Sequence, residues 1–190
     1  MPRLPWTARR QAPPPAEVLT ALELDDRTRV LAHSPLVGEG YVVITADEIA
    51  ILTPVRQTVV RRPWTAVDHM AWDLDSRTLA VWWVGTRQAI GLELPEGSFV
   101  PEVAHERWRA SVLHTGEFGL PGGRTGYLAL RRHPDGSVTT QVNLPRGVLR
   151  TDPAVRAATD RAERLAREQT GLGAPGADAD ALGSLFGREG

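Results

Sequence analysis

The stretch Val67–Asp68–His69–Met70–Ala71–Trp72–Asp73–Leu74, the turn residues Asp75–Ser76, and then Thr78–Leu79–Ala80–Val81–Trp82–Trp83–Val84 together decide the fold class of this chain. In the first half Met70, Trp72 and Leu74 share one face, and Val67, His69, Ala71 and Asp73 the other, which is the two-residue period of a β-strand. The second half is apolar on both faces, with Leu79, Val81 and Trp83 against Ala80, Trp82 and Val84. Such a strand is expected to be covered on both sides.

The same texture extends in both directions. Upstream, Arg29 to Ser34 closes at Pro35, and Tyr41 to Thr45 and Glu48 to Thr53 are separated by Ala46–Asp47, the spacing of a tight hairpin. Thr58 to Arg62 is stopped by Pro63, and downstream Gln88 to Leu94 completes the series, which makes roughly seven strands by pattern. A helix follows. Ser98 is a good N-cap, Pro101 sits in the first turn, Val100, Ala104, Trp108 and Val112 recur every four residues, and Gly116 is the expected stop.

A second section begins with the loop Gly119 to Gly123. Thr125 to Arg132 and Ser137 to Leu144 flank Pro134–Asp135–Gly136, a hairpin turn in which Pro sets φ and Gly accepts positive φ. Asp152 and Pro153 open a last helix, with Val155, Ala158, Ala162, Leu165 and Gln169 on one face. Asp152/Arg156, Asp160/Arg164 and Glu163/Arg167 are spaced as acid-before-base pairs, and Gly171 is the stop. At the start, residues 1–15 hold five prolines and Arg3, Arg9 and Arg10 around Trp6, and read as an extended arm before a short helix over 16–24. Trp6 either docks somewhere or stands exposed. The expected organisation is a disordered arm (1–15), a barrel with its capping helix (16–115), a hairpin-plus-helix extension (116–171) and a disordered tail (172–190). In the tail Leu182, Leu185 and Phe186 are a docking motif or chance apolar residues.

The segments Arg29–Val30–Leu31–Ala32–His33, Gly40–Tyr41–Val42–Val43–Ile44–Thr45–Ala46–Asp47 and Arg62–Pro63–Trp64–Thr65–Ala66–Val67–Asp68 resemble those of bacterial pleckstrin-homology-like proteins. The likeness covers about residues 25–115 and is greatest to an actinobacterial group with no assigned activity. The resemblance implies an α+β fold: a pleckstrin-homology-like barrel of about seven strands capped by a C-terminal helix, here followed by a β-hairpin and a second helix. Trp108 is similar in placement to the Trp that such helices pack against an open barrel end. It implies a binding or scaffolding module and carries no catalytic residues over. The loop Ser34 to Gly40, which holds head groups in lipid-binding members of the fold, contains no base and one acid, Glu39. That argues against phosphoinositide binding.

Composition removes whole classes of chemistry. All 22 basic residues of the 190 are arginine, so no Schiff base can form and no phosphate-binding loop ending in Gly-Lys is present. Zero cysteine removes thiol nucleophiles, disulfides and thiolate metal sites. A net charge of −1 does not suit a dedicated nucleic-acid binder. No apolar run approaches the roughly 20 residues needed to cross a bilayer, and no apolar segment follows the early arginines, so the expected compartment is the cytoplasm.

The remaining motifs are weak. Gly171-x-Gly173-x-x-Gly176 matches a dinucleotide-binding spacing but follows a helix, where it reads as a stop and linker. The five histidines are scattered, with His105 and His114 expected on opposite sides of one helix. Asp73 and Asp75 either hold a cation or finish a hairpin. No catalytic, cofactor or metal set emerges, and the chain is expected not to be an enzyme.

The one charge asymmetry lies in the hairpin region, where Arg124, Arg131, Arg132, Arg146 and Arg150 face Asp135 alone, with Tyr127 on the same segment. Either these arginines pair with acids such as Asp25, Asp26 or Glu117, or they meet a partner. The leading expectation is a non-catalytic module binding a protein or peptide through that hairpin or an exposed strand edge. The alternatives are peripheral binding to anionic membrane or another polyanion through the same arginines, and an enzyme acting on a small anionic metabolite.

Overall fold

The computed structural model describes residues 12–25, 27–53 and 58–173. Residues 1–11, 26, 54–57 and 174–190 lie outside them, and with them Trp6, most of the expected arm and tail, and Leu182, Leu185 and Phe186. The chain divides into two compact units, the first ending at Arg107 and the second starting at Trp108.

The first unit opens with α1 (Ala16–Ala21) and continues as β1 (Val30–Pro35), β2 (Tyr41–Thr45), β3 (Glu48–Thr53) and β4 (Thr58–Pro63), an antiparallel sheet in sequence order. In this sheet Val42, Ile44, Ile49 and Ile51 share one face and are fully buried. The opposite face carries Val43 and Ala50, and α1 covers it through Val18, Leu22 and Leu24, with Tyr41 and Leu52 alongside. Coverage of both faces is why β2 and β3 read as continuous apolar runs. Arg61 completes the arrangement: it donates to the carbonyls of Leu22 and Glu23 at the end of α1 and pairs with Glu48.

After a 3-10 turn at Trp64–Ala66, β5 (Val67–Asp73), β6 (Thr78–Trp83) and β7 (Ala89–Glu93) form a second antiparallel sheet. Leu79, Val81 and Leu92 are buried on its inner face, and Met70 and Trp72 lie opposite Val81 and Leu79 in register. The seven strands are therefore split four and three, and not closed into the single barrel expected from sequence. The cause is at the corners. Pro63 ends β4 without an N–H, and Trp64 turns the chain, its indole N–H donating to Thr45 O. Isolated hydrogen bonds, Val84 N to Ala66 O and Val37 N to Glu93 O, stand at the corners where a closed barrel would have ladders.

The helix α2 spans Val100–Ser111, with Val100, Val103 and Ala104 buried and Ser98 Oγ accepting from Val100 N. It stops five residues before the expected Gly116. Val112 to Leu120 is instead β8, so His114 lies on a strand and not on the helix with His105. The helical spacing of Val112 loses to pairing: β8 runs along β9 (Arg124–Arg132), which pairs in turn with β10 (Val138–Asn143). The expected hairpin is thus the second half of a three-stranded meander.

In this second unit α3 (Pro153–Gln169) packs on one face of that sheet, where Leu128, Leu130 and Val138 meet Ala166 and Ala162. The buried stripe of α3 runs through Val155, Ala162 and Ala166, which leaves Leu165 51% exposed, off the face assigned to it from spacing. Asp152 caps α3 by accepting from Ala154 N and so does not pair with Arg156, whose guanidinium donates to Thr151 O. Of the three spaced pairs, Glu163–Arg167 forms at 3.3 Å. The stop is Gly171 in the left-handed region, φ 71°.

Candidate interaction surface

Strand β9 displays the candidate residues with the period of two that a sheet imposes. Gly126, Leu128 and Leu130 turn toward α3, while Tyr127, Ala129 and Arg131 turn to the other face. On that open face Tyr127 is 54% exposed, flanked in register by Glu117 of β8 and Asn143 of β10.

The six candidates do not form one patch. Arg124 at the start of β9 donates to Arg146 O in the β10–α3 connection, and Arg150 donates to Val142 O at 2.6 Å. These three arginines are exposed at the end of the sheet that carries Tyr127, with Arg124 in the strand phase of Gly126 and Leu128 and so on the face opposite Tyr127. Arg132 is exposed at the opposite end of β9, about 26 Å from Arg124 at 3.3 Å per residue. Arg131 is only 2% exposed, and its guanidinium lies 5.7 Å from the ring centroid of Trp108. It is a cation–π and packing element, so it drops out of any partner-facing set.

No carboxylate among the second unit's described residues lies within ion-pairing distance of Arg124, Arg132, Arg146 or Arg150. Glu163 is taken by Arg167 and by Thr140, whose hydroxyl donates to it. Asp135 accepts from Ser137 N and Ser137 Oγ within its own turn, and those bonds hold its carboxyl below the usual range. In the same turn His133 shares a 2.9 Å hydrogen bond with Thr139 Oγ1. Burial pushes its pKa down; Asp135 opposes this and Arg131 adds to it. The exposed arginines thus keep their charge available to solvent.

The first unit has a feature that sequence reasoning did not single out. Beyond the ends of β5 and β7, Trp72, Leu74, Pro95, Gly97 and Ser98 line an open depression of about 270 Å³, with Arg77 and Glu96 at its rim. Leu74 is 75% exposed there and Trp72 38%. The available signal was the apolar face shared by Met70, Trp72 and Leu74, which runs past the end of its sheet. Asp73, considered as half of a cation pair, instead accepts from the N–H groups of Asp75 and Ser76, which lowers its pKa and closes the hairpin. Among the described residues no cluster of three or more metal-ligating side chains occurs, and no helix is long and apolar enough to cross a membrane.

No family model and no curated protein matches the chain. Among solved structures, the crystal structure of a DUF1696 family protein with a pleckstrin-homology domain from Shewanella loihica PV-4 is similar to it. The match covers 49% of this chain and 92% of that one, at 16% sequence identity and a TM-score of 0.38.

Proposed function

We propose that this chain is a non-catalytic, cytoplasmic interaction module. Its first unit is of the pleckstrin-homology-like type, and its second presents arginines to an acidic protein or peptide. The element order supports the first half of this reading: a four-stranded meander, a three-stranded meander and then a helix. One observation carries the second half. Arg124, Arg146 and Arg150 are exposed at the end of the sheet that carries Tyr127, and among the described residues none of them forms an ion pair with a carboxylate of their own unit.

Guanidinium groups suit this work because they present forked donors to carboxylates and stay charged at all working pH values. An exposed Tyr adds apolar area with a polar tip. Binding through such groups speeds association and weakens with salt.

Immobilised acidic peptides offered beside vesicles of neutral and of anionic lipid test the reading. The expected result is salt-sensitive retention on the acidic peptides, lost in Arg124→Gln/Arg146→Gln/Arg150→Gln and kept in Arg132→Gln. Retention that the triple variant leaves unchanged overturns it. Flotation with anionic vesicles alone would assign the same arginines to a membrane surface instead.

A further inference from the structure

The two edges of the second unit's sheet, β10 and β8, are finished differently. On β10 two carbonyls are taken by arginines: Val138 O accepts from Arg167 Nη2 and Val142 O from Arg150 Nη2. Strand β8 is the opposite edge, and among the described residues no side chain hydrogen-bonds to the backbone along it. It is nine residues long, lacks proline, carries Glu117 as its one acid and keeps register without a bulge from His114 to Leu120. The devices that ordinarily stop a sheet edge from pairing are therefore missing from β8. We propose that β8 pairs antiparallel with β8 of a second copy of this chain, joining the two sheets into one of six strands with both α3 helices on the same face.

The helix above the edge points to this occupant. α3 lies more closely along β8 than along β9, and the groove between α3 and β8 holds about 270 Å³. Gly116 and Phe118 line it from the strand, and Ala162, Leu165 and Gln169 from the helix. Leu165 is 51% exposed and stands about 80° around the helix from the buried Val155, so it projects along the plane of the sheet, past β8. The lining is centred on Gly116 in the strand and near Leu165 in the helix. One two-fold axis through both centres, perpendicular to the sheet, keeps the strand faces in phase. Gly116 then faces the partner's Gly116, Thr115 faces the partner's Glu117, and His114 the partner's Phe118. The same axis sets the two α3 helices antiparallel, with Leu165 against the partner's Leu165.

Charge agrees with that arrangement. Arg161 and Glu168 flank Leu165 on its exposed side, and among the described residues neither is ion-paired. Antiparallel helices bring Arg161 opposite position 169, beside the partner's Glu168, and the axis repeats the pair. The chain's own tail is worse placed for this groove. It leaves from Gly173, whose carbonyl accepts from Arg167 Nη1, while Nη2 of the same guanidinium holds Val138 O on β10, the far edge. None of Arg124, Arg146 or Arg150 takes part, so the inference stands apart from the acidic-peptide reading.

Light scattering on the eluting 190-residue chain reads the oligomer directly. The expected result is a dimer that dissociates on dilution. Leu165→Arg, at an exposed position, should raise its Kd by about tenfold or more, the scale of a central interface residue. Arg161→Glu should also weaken it, and Arg161→Glu/Glu168→Arg should restore it, a recovery that an unfolded variant cannot show. A monomeric wild-type chain overturns the proposal, as does a dimer that ignores Leu165→Arg or that the charge exchange fails to restore. A monomer that dimerises only in Leu185→Asp/Phe186→Asp also overturns it and assigns the groove to the chain's own tail.

Discussion

The sheet β1–β4 and the sheet β8–β10 are both antiparallel meanders in sequence order, yet they are clothed differently. The first has α1 on one face and buried Val42, Ile44, Ile49 and Ile51 on the other. The second has α3 on one face and leaves Thr115, Glu117, Tyr127 and Asn143 exposed on the other. Where both faces are covered, side-chain identity is dictated by packing. Where one is open, alternate positions are released for charge and hydrogen bonding, and it is on such released positions that a recognition surface can be built.

Substitutions can break or sharpen that contrast. Ile49→Ala in the doubly covered sheet should cost about 2–5 kcal/mol in chemical denaturation, the range of a fully buried aliphatic truncation. Its polar counterpart Thr125→Ala on the open sheet should stay within about 0.5 kcal/mol. Equal losses would erase the distinction.

Gly126 tests the covered face of the second sheet. A Cβ there would come within 2.6 Å of the Phe118 ring, so Gly126→Ala should destabilise by about 1–3 kcal/mol. Phe118→Leu should recover part of that loss. A neutral Gly126→Ala would mean that the ring moves aside freely.

Adjacent arginines then report on alternation directly. Arg131→Ala should cost about 1–2 kcal/mol, because it removes a buried stem and a guanidinium stacked at Trp108. Arg132→Ala should change stability by less than about 0.5 kcal/mol. The reverse order would invert the assigned faces of β9.

The smallest effect concerns pH. Burial lowers the pKa of His133 in the folded chain, so between that value and the unfolded one the unfolded state binds the extra proton. The resulting stability is fully present above the ordinary histidine range and is lost as pH falls through the folded pKa. His133→Gln should flatten the fall in unfolding free energy between neutral and mildly acidic pH. An unchanged slope would place that titration elsewhere.

Much of this architecture was written in local patterns. Short β-like runs, alternating in β5 and continuously apolar in β2, β3 and β6, located all seven strands of the first unit to within a residue or two, because they are bounded by proline or turn residues such as Asp75–Ser76 and Pro63. The end of α2 was not visible locally. Val112 fits the helical stripe as well as it fits β8, and only pairing with β9, a tertiary contact, decides between them. The same limit governed the site. Five arginines in one segment signalled a basic surface, and the two-residue period puts neighbours Arg131 and Arg132 on opposite faces, but the sequence could not show that Arg131 is the one covered by Trp108. The depression at Leu74 escaped notice because an apolar residue continuing a strand's inner face looks like core until the sheet is seen to end before it.

Among the described residues every strand pairs with a strand next to it in sequence, and no parallel pair requires a crossover. Each ladder therefore closes only a short loop, and the entropy to be overcome before pairing is rewarded stays small at every step. That predisposes the chain to rapid, hairpin-by-hairpin assembly, with each meander able to form before distant segments have met.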